Sequence, residues 1–398
     1  MSRIWVGTDC GKTHHHCLVL DSEGSVLLSR RVANDEPELL KLIGDVLALP
    51  GGEAATWSMD MTGGEPGLLI ALLVNHGQEL VYLPGIAVNR ASDSYRGAGK
   101  TDAKDARIIA DQARMRRDLQ PIRLGDDASV ELRLLTDRRT DLVAERTRTT
   151  NRLRALLNSM FPSLERILDL GARGPLVLLA GYQTPAAIRR LGARRLEAWL
   201  RNRKVRNAEA LAVKALEAAE RQHTAVVGES AIAGMVQTLT EELMSLNDKV
   251  SEVDKRIEER FREHELAEII QSMPGIGATL GAEFLAAVDG SLEAFPTPDR
   301  LAAFAGVTPA PRDSGKISGN LHRSKRYHRR LQRVFYTSAL FSIQRDPNSR
   351  AFYDRKRAEG KRHVQAVLAL ARRRVNVLWA LIRDRRLYTV APPATQAA

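Results

Sequence analysis

Apolar and polar positions divide the 398-residue chain into three regions. In the first, about 1–125, short apolar runs alternate with helical stretches. Ile4–Asp9 is an apolar run ending on an acid. Cys17–Leu20 and Val26–Ser29 flank Asp21-Ser22-Glu23-Gly24, a hairpin turn signal. The spacing predicts a helix over Glu36–Leu47, a buried strand over Ala54–Met59, a helix over Gly67–Asn75, a strand over Leu80–Leu83 and a helix over 102–116. The order βββαβαβα predicts an α/β sheet domain.

The second region, about 126–265, is helical. Ile232, Val236, Leu239, Leu243, Leu246, Val250, Val253 and Ile257 step by 4 and 3 in turn, a heptad seam. A partner seam runs through Leu135, Leu142, Thr149 and Leu156, interrupted by Arg139 and Arg146. An antiparallel hairpin within one chain and a coiled coil between chains both satisfy it. The stretch 166–225 reads as further short helices without recognisable chemistry. The third region, about 266–390, is mainly helical. It opens on Met273-Pro274-Gly275-Ile276-Gly277, in which Gly275 and Gly277 lead into a helix. That is what a helix-hairpin-helix needs to approach a phosphate, and a plain tight turn between helices would look the same. A disordered tail is expected over 391–398.

Charge sharpens this picture. Lys and Arg total 60 against 48 Asp and Glu, a net of +12. Between Arg312 and Arg386 stand 21 cations and 5 acids, so this segment exceeds the excess of the whole chain. A protein this basic is expected to meet nucleic acid. Aromatics at 5% make base stacking a minor part of any such contact. The cysteines are Cys10 and Cys17, which excludes a disulfide scaffold. No apolar run is long enough for a membrane span and the N-terminus lacks a signal-peptide core, so a cytoplasmic, nucleoid-associated protein is expected.

Two constellations carry chemistry. Asp9 ends the first strand, Asp60 ends a later one, and Asp102 and Asp105 open a helix at i, i+3 spacing, which puts them on one face. The element order is that of the ribonuclease H-like fold, in which the ends of strands one and four are neighbours under the last helix. Four carboxylates converging there suit Mg²⁺ or Mn²⁺. Taken singly, each acid has a structural explanation as a cap, turn or surface residue. Strand alternation separates His14, His15 and His16, and Cys10 reads as a small packed residue. The second constellation is Arg312-Asp313-Ser314-Gly315-Lys316, just before His322-Arg323-Ser324-Lys325-Arg326 and Arg329-Arg330. A hydroxyl beside these cations could attack a phosphodiester. By composition alone Ser314 reads as a turn or helix-cap residue.

GTD at the N-terminus, a second acid before TG, KTDAKDA, then PGIG, LAAFAG, TP, SG and SK resemble, in this order along nearly the whole chain, the DEDD transposases of insertion sequences. These are relatives of the Piv DNA invertases, and the group includes bridge-RNA-guided recombinases. The resemblance implies a RuvC-like N-terminal domain (1–125), a helical coiled-coil linker and oligomerisation region (126–265) and a C-terminal transposase domain (266–390). It implies Asp9, Asp60, Asp102 and Asp105 as metal-binding acids, with Asp60 standing where the family usually has Glu. It implies Ser314 as nucleophile, with Ser324 in reserve, and Arg312, Lys316, Arg323, Lys325, Arg326, Arg329, Arg330, Gly275 and Gly277 at the nucleic acid. It further implies donor and target DNA, a structured guide RNA, and a homo-oligomer (dimer or tetramer) joining acids of one subunit with serine of another. A metal-dependent junction nuclease without serine chemistry and a non-catalytic nucleic-acid scaffold are the alternatives.

Overall fold

The computed structural model describes residues 3–61, 64–95, 99, 101–122, 127–315 and 318–390. Lys316 and the expected tail 391–398 lie outside the described residues. The chain forms two compact units, Met1–Gly125 and Asp126–Ala398.

The first unit contains β1 (Trp5–Asp9), β2 (His14–Leu20), β3 (Val26–Ala33), α1 (Glu36–Leu47), β4 (Thr56–Met59), α2 (Gly67–Asn75), β5 (Glu79–Tyr82), α3 (Gly85–Ser92), α4 (Asp102–Met115) and β6 (Gln120–Pro121). The strands form one mixed sheet in the order β3-β2-β1-β4-β5-β6. β1 runs parallel to β4 and β4 to β5, while β2, β3 and β6 pair antiparallel with their neighbours.

Period-two alternation sorts the two faces. Val6, Val19, Trp57 and Met59 bury against Leu39, Leu42, Leu69 and Leu73 of α1 and α2. The opposite face, with Gly7, Leu18 and Leu20, is covered by Ala106 and Ala110 of α4. Contact there is close: a Cβ on Gly7 would lie 2.1 Å from the Ala106 carbonyl oxygen and 2.4 Å from the Ala110 nitrogen. Residue 7 must therefore be glycine for α4 to lie this near the sheet. α4 is started by Thr101, whose hydroxyl accepts from the Lys104 N–H at 3.2 Å.

The second unit holds α5 (Asp127–Met160), α6 (Pro162–Glu165), α7 (Arg173–Gly181), α8 (Pro185–Leu191), α9 (Ala193–Asn202), α10 (Ala208–Glu220), α11 (Glu229–Arg262), α12 (Ala267–Ser272), α13 (Ala278–Ala287), α14 (Pro298–Phe304), β7 (Ala310–Pro311), β8 (Leu321–His322), α15 (Arg329–Arg345), α16 (Pro347–Ala358) and α17 (His363–Arg383). The two 34-residue helices α5 and α11 pair with each other. The heptad seam is their contact. Leu132 packs with Ile257 and Phe261 at one end, Leu142 with Leu246 and Val250 in the middle, and Leu157 with Val236 at the other. The pairing is thus antiparallel and within one chain. Arg139, which breaks the seam in sequence, is ion-paired with Asp254 across it. Each end of the pair is built into a larger core. One end gathers α6 to α10 around Phe161, Leu178, Leu196 and Leu200. The other gathers α12 to α17 around Phe284, Phe335, Leu370 and Leu378.

Candidate functional site

Sheet register places the acids. Thr8 is level with Met59 on the parallel pair β1–β4. One step further, Asp9 and Asp60 stand at adjacent strand ends, about 4.8 Å apart in the backbone. Asp9 follows Gly7 by two residues and so shares the face that α4 covers. Ser58, two before Asp60, donates its hydroxyl to Val6 O at 2.8 Å and to Ile109 O of α4 at 3.4 Å, which sets β4's even positions on that same face. Both carboxylates therefore lie on the α4 side.

The direction of α4 brings its own acids to that edge. Its last turn lies over the β2–β3 hairpin, where Arg114 donates to Ser22 O at 3.1 Å. Its first turn lies at the opposite end, where the Asp102 charge acts on His16, the register partner of Asp9. Asp102 is exposed, whereas Asp9, Asp60 and Asp105 are half-buried. The first turn of a helix also favours negative charge. Residues 96–98 and 100, which lead into this turn, are outside the described residues.

All four acids predicted from sequence thus belong to one face and one edge of the sheet. They do not form a ready-made cage: among the described residues, no group of three or more His, Cys, Asp or Glu is gathered closely enough to hold a metal ion. Four carboxylate side chains on short arms offer hard oxygen donors only, the donor chemistry that a divalent cation takes.

Neighbouring groups support this reading. Burial pushes the Cys10 thiol up, and the charges of Asp60 and Asp9 push it further, so it is not a thiolate nucleophile. His15 is fully buried on the other face, and its Nδ1 accepts from the Gly11 N–H at 3.3 Å. His14, His15 and His16 are therefore separated as alternation requires. His16 nevertheless lies on the acid face, with Nε2 3.0 Å from Ser29 Oγ. Burial lowers its pKa, opposed by Asp102. Counting back by two from Leu20 and Leu18 reaches His16, so its place beside the acids was readable. Glu65, whose charge also acts on Cys10, carries no such sequence signal.

The serine lies in the second unit. β7 and β8 pair antiparallel, with Pro311 opposite Leu321. The hairpin continues through Arg312 N–H donating to Asn320 O at 2.8 Å, and the Asn320 N–H donating to Asp313 Oδ1 at 2.9 Å. Ser314 sits beyond these bonds, exposed, before Gly315 at φ +53°. Among the described residues its hydroxyl has no hydrogen bond. The Ser324 hydroxyl, by contrast, donates to Arg326 O at 2.8 Å.

The basic residues divide by what already holds them. Arg330 is fastened to Asp137 and to Thr136 Oγ1 of α5, so it ties α15 to the long helix pair. Arg323 reaches Tyr327 Oη at 3.1 Å and Gln332 Oε1 at 3.2 Å. Lys325, Arg326 and Arg329 are exposed, as is Arg312. Gly275 adopts φ +80°, and a Cβ there would lie 2.6 Å from Ser338 O of α15. Its glycine is accounted for by that packing. Gly277 caps α13 with open space around it. No described helix is long and apolar enough to cross a membrane.

Comparison with known proteins gives the family. Residues 6–162 match a model of DEDD-type transposases of the IS110 kind, and residues 267–354 match a model described as transposase, IS116/IS110/IS902 family. The chain is 56% identical to the uncharacterized 42 kDa protein of insertion element IS900 from Mycobacterium paratuberculosis, over 99% of this chain and 98% of the relative. It is 51% identical to the 44.8 kDa protein of IS116 from Streptomyces clavuligerus, over 100% of this chain and 98% of the relative. It is 37% identical to the 43.6 kDa protein of IS110 from Streptomyces coelicolor, over 98% and 96%. The chain belongs to the IS110/IS116/IS902 family of insertion-element transposases, enzymes that act on DNA.

Proposed function

We propose that this transposase cuts and rejoins DNA through a transient link to Ser314, with Asp9, Asp60, Asp102 and Asp105 as its metal-binding acids. The observation that carries the serine assignment is local. Ser314 Oγ is exposed and without a hydrogen bond among the described residues, whereas Ser324 Oγ is held by a backbone carbonyl. The sheet order, with acids at the ends of β1 and β4, supports a RuvC-like assignment for the first unit.

In the reaction, Ser314 Oγ attacks a DNA phosphorus and its proton leaves to solvent. The bond from phosphorus to one sugar oxygen breaks, and that oxygen is released as a hydroxyl. After strand exchange, a sugar hydroxyl attacks the phosphoserine, and Oγ departs and regains a proton. One phosphodiester is broken and one made, so no outside energy source is needed. Arg312, Lys325, Arg326 and Arg329 neutralise backbone phosphate and hold the strand. A bound Mg²⁺ or Mn²⁺ would supply Lewis-acid stabilisation of phosphoryl charge at the four carboxylates. A homo-oligomer would supply acids and serine from different subunits. A structured guide RNA, as in the group this chain resembles, would select donor and target by base pairing, which suits a basic chain with few aromatics.

Asp9→Ala and Ser314→Ala, assayed for strand cleavage and joining, test the reading. Loss with both supports it. Loss with Asp9→Ala alone identifies a metal-dependent nuclease, and unchanged binding with no strand cleavage by the parent protein identifies a scaffold.

A further inference from the structure

The helical module α6–α10 lies between the two stretches that the family models match, and the chemistry above makes no use of it. Its cations are concentrated. From Arg189 to Arg206 there are eight Lys and Arg and one acid, Glu197. The other acids of the module fall elsewhere: Glu165 and Asp169 precede α7, and Glu209, Glu217 and Glu220 are on α10.

Structural roles account for some of these cations and leave a distinct remainder. Arg189 donates to Ala219 O at 2.6 Å and to Gln222 O, satisfying carbonyls at the end of α10. Arg201 pairs with Glu197 at 2.5 Å. Arg203 stacks on the Trp199 ring, 3.8 Å from its centroid. Arg190, Arg194, Arg195, Lys204 and Arg206 are exposed and have no acidic partner among the described residues. On α9, Leu196 and Leu200 point into the module core, so at 100° per residue Arg194 and Arg195 occupy the opposite, solvent arc. The turn that follows puts Lys204 at φ +61°, a conformation for which glycine is the low-strain residue.

We propose that this surface, from Arg190 through Arg206, is a second DNA contact that grips the phosphate backbone of a duplex without reading its sequence. Three observations select that partner. No large hydrophobic residue is exposed between 189 and 206, so the surface lacks the apolar centre of a protein interface or a membrane-lying helix. Trp199 is half-buried, covered on one face by Arg203 and packed in a T-shaped pair with Tyr182 at a centroid distance of 5.0 Å, so it is a poor platform for stacking single-stranded bases. The unpaired cations flank α9, Arg194 and Arg195 in its first turn and Lys204 and Arg206 just past its end, and the ten-residue helix between them is about 15 Å long, which spans roughly four phosphates of one strand at 3.4 Å each. DNA is the substrate class of the family, and the contact depends neither on Ser314 nor on the acids.

The test uses the full chain and equilibrium binding to a short duplex DNA of arbitrary sequence over a range of salt. Replacing all five residues (Arg190→Gln, Arg194→Gln, Arg195→Gln, Lys204→Gln, Arg206→Gln) lowers the slope of log affinity against log salt by about 4.5, at roughly 0.9 per lost phosphate contact. A control with Arg173→Gln, Lys214→Gln and Arg221→Gln, exposed cations elsewhere on the module, leaves the slope unchanged. Lys204→Gly alone lowers the slope by about 0.9 while raising the melting temperature, which separates binding from folding. An unchanged slope in the five-residue variant overturns the proposal. So does an equal loss per charge in the control, or a loss confined to an RNA hairpin carrying the same number of phosphates.

Discussion

Gly7→Ala is the sharpest perturbation of the acidic edge, because it adds one methyl group where the structure has no room. The new Cβ would meet the Ala106 carbonyl oxygen at 2.1 Å and the Ala110 nitrogen at 2.4 Å. Both are helix backbone, so no side chain can swing aside. Restoring even 3.0 Å requires α4 to withdraw from β1 by about 0.9 Å. Overpacking of this kind costs about 3 kcal/mol, the upper part of its usual range, since the obstacle is backbone. The same displacement carries Asp102 and Asp105 away from Asp9 and Asp60. If these acids are the proposed metal site, a shift of about 1 Å there lowers rate by roughly 100-fold. Hydrogen exchange of peptides covering β1 and α4 in the full chain reads the packing, and metal-dependent strand cleavage reads the site. Gly7→Ala is expected to speed exchange in both elements and to reduce cleavage by about two orders of magnitude. Adding Ala110→Gly removes only the 2.9 Å contact with the Ala110 Cβ and so rescues little. Wild-type exchange and cleavage in Gly7→Ala, or full rescue by Ala110→Gly, would refute the backbone-contact argument.

Three further predictions concern the second unit. Gly275→Ala forces φ +80° on an L-residue and places a Cβ 2.6 Å from Ser338 O, so it destabilises by about 3 kcal/mol in urea unfolding; a change under about 0.5 kcal/mol would contradict this packing role. The Arg330–Asp137 pair is partly exposed, with side chains 24% and 51% accessible, so a double-mutant cycle is expected to give about 0.5–1 kcal/mol of coupling, and zero coupling would return Arg330 to the pool of free cations. Burial, followed by the charges of Arg330 and Arg133, lowers the pKa of His328 below its ordinary 6.5, and its Nδ1 accepts from the Leu331 N–H to cap α15. The unfolded chain therefore takes up this proton first, so stability is full above pH 6.5 and declines as pH falls below it. His328→Asn keeps a capping acceptor and flattens that decline in thermal melts, whereas an unaltered pH profile would exclude His328 as its source.

The legible parts of the molecule were those with a strong period. The apolar run into Asp9, the buried strand running up to Asp60 and the helix beginning at Asp102 put all four acids on their elements, since a strand end and an i, i+3 pair are fixed by local geometry. The heptad seam announced α11, but only the tertiary cores decide that its partner is α5 of the same chain. α3 was missed, being eight residues with one buried position, too short to show a period. β7 and β8 are two residues each, and the hairpin that presents Ser314 is held by Asp313 and Asn320 rather than by alternation. Charge density marked the basic segment, yet which cations remain available depends on distant partners: Arg330 is bound by Asp137, nearly two hundred positions earlier. The same sorting, applied to 189–206, removes Arg189 and exposes Lys204, and nothing in the local sequence separates those two.

The covalent link at Ser314 is tested by trapping protein–DNA adducts during strand cleavage and mapping the attached residue by mass spectrometry. The account predicts a phosphodiester-linked nucleotide on Ser314, absent from Ser314→Ala and unaffected by Ser324→Ala. An adduct that survives Ser314→Ala, or cleavage that proceeds with no adduct at all, would contradict it.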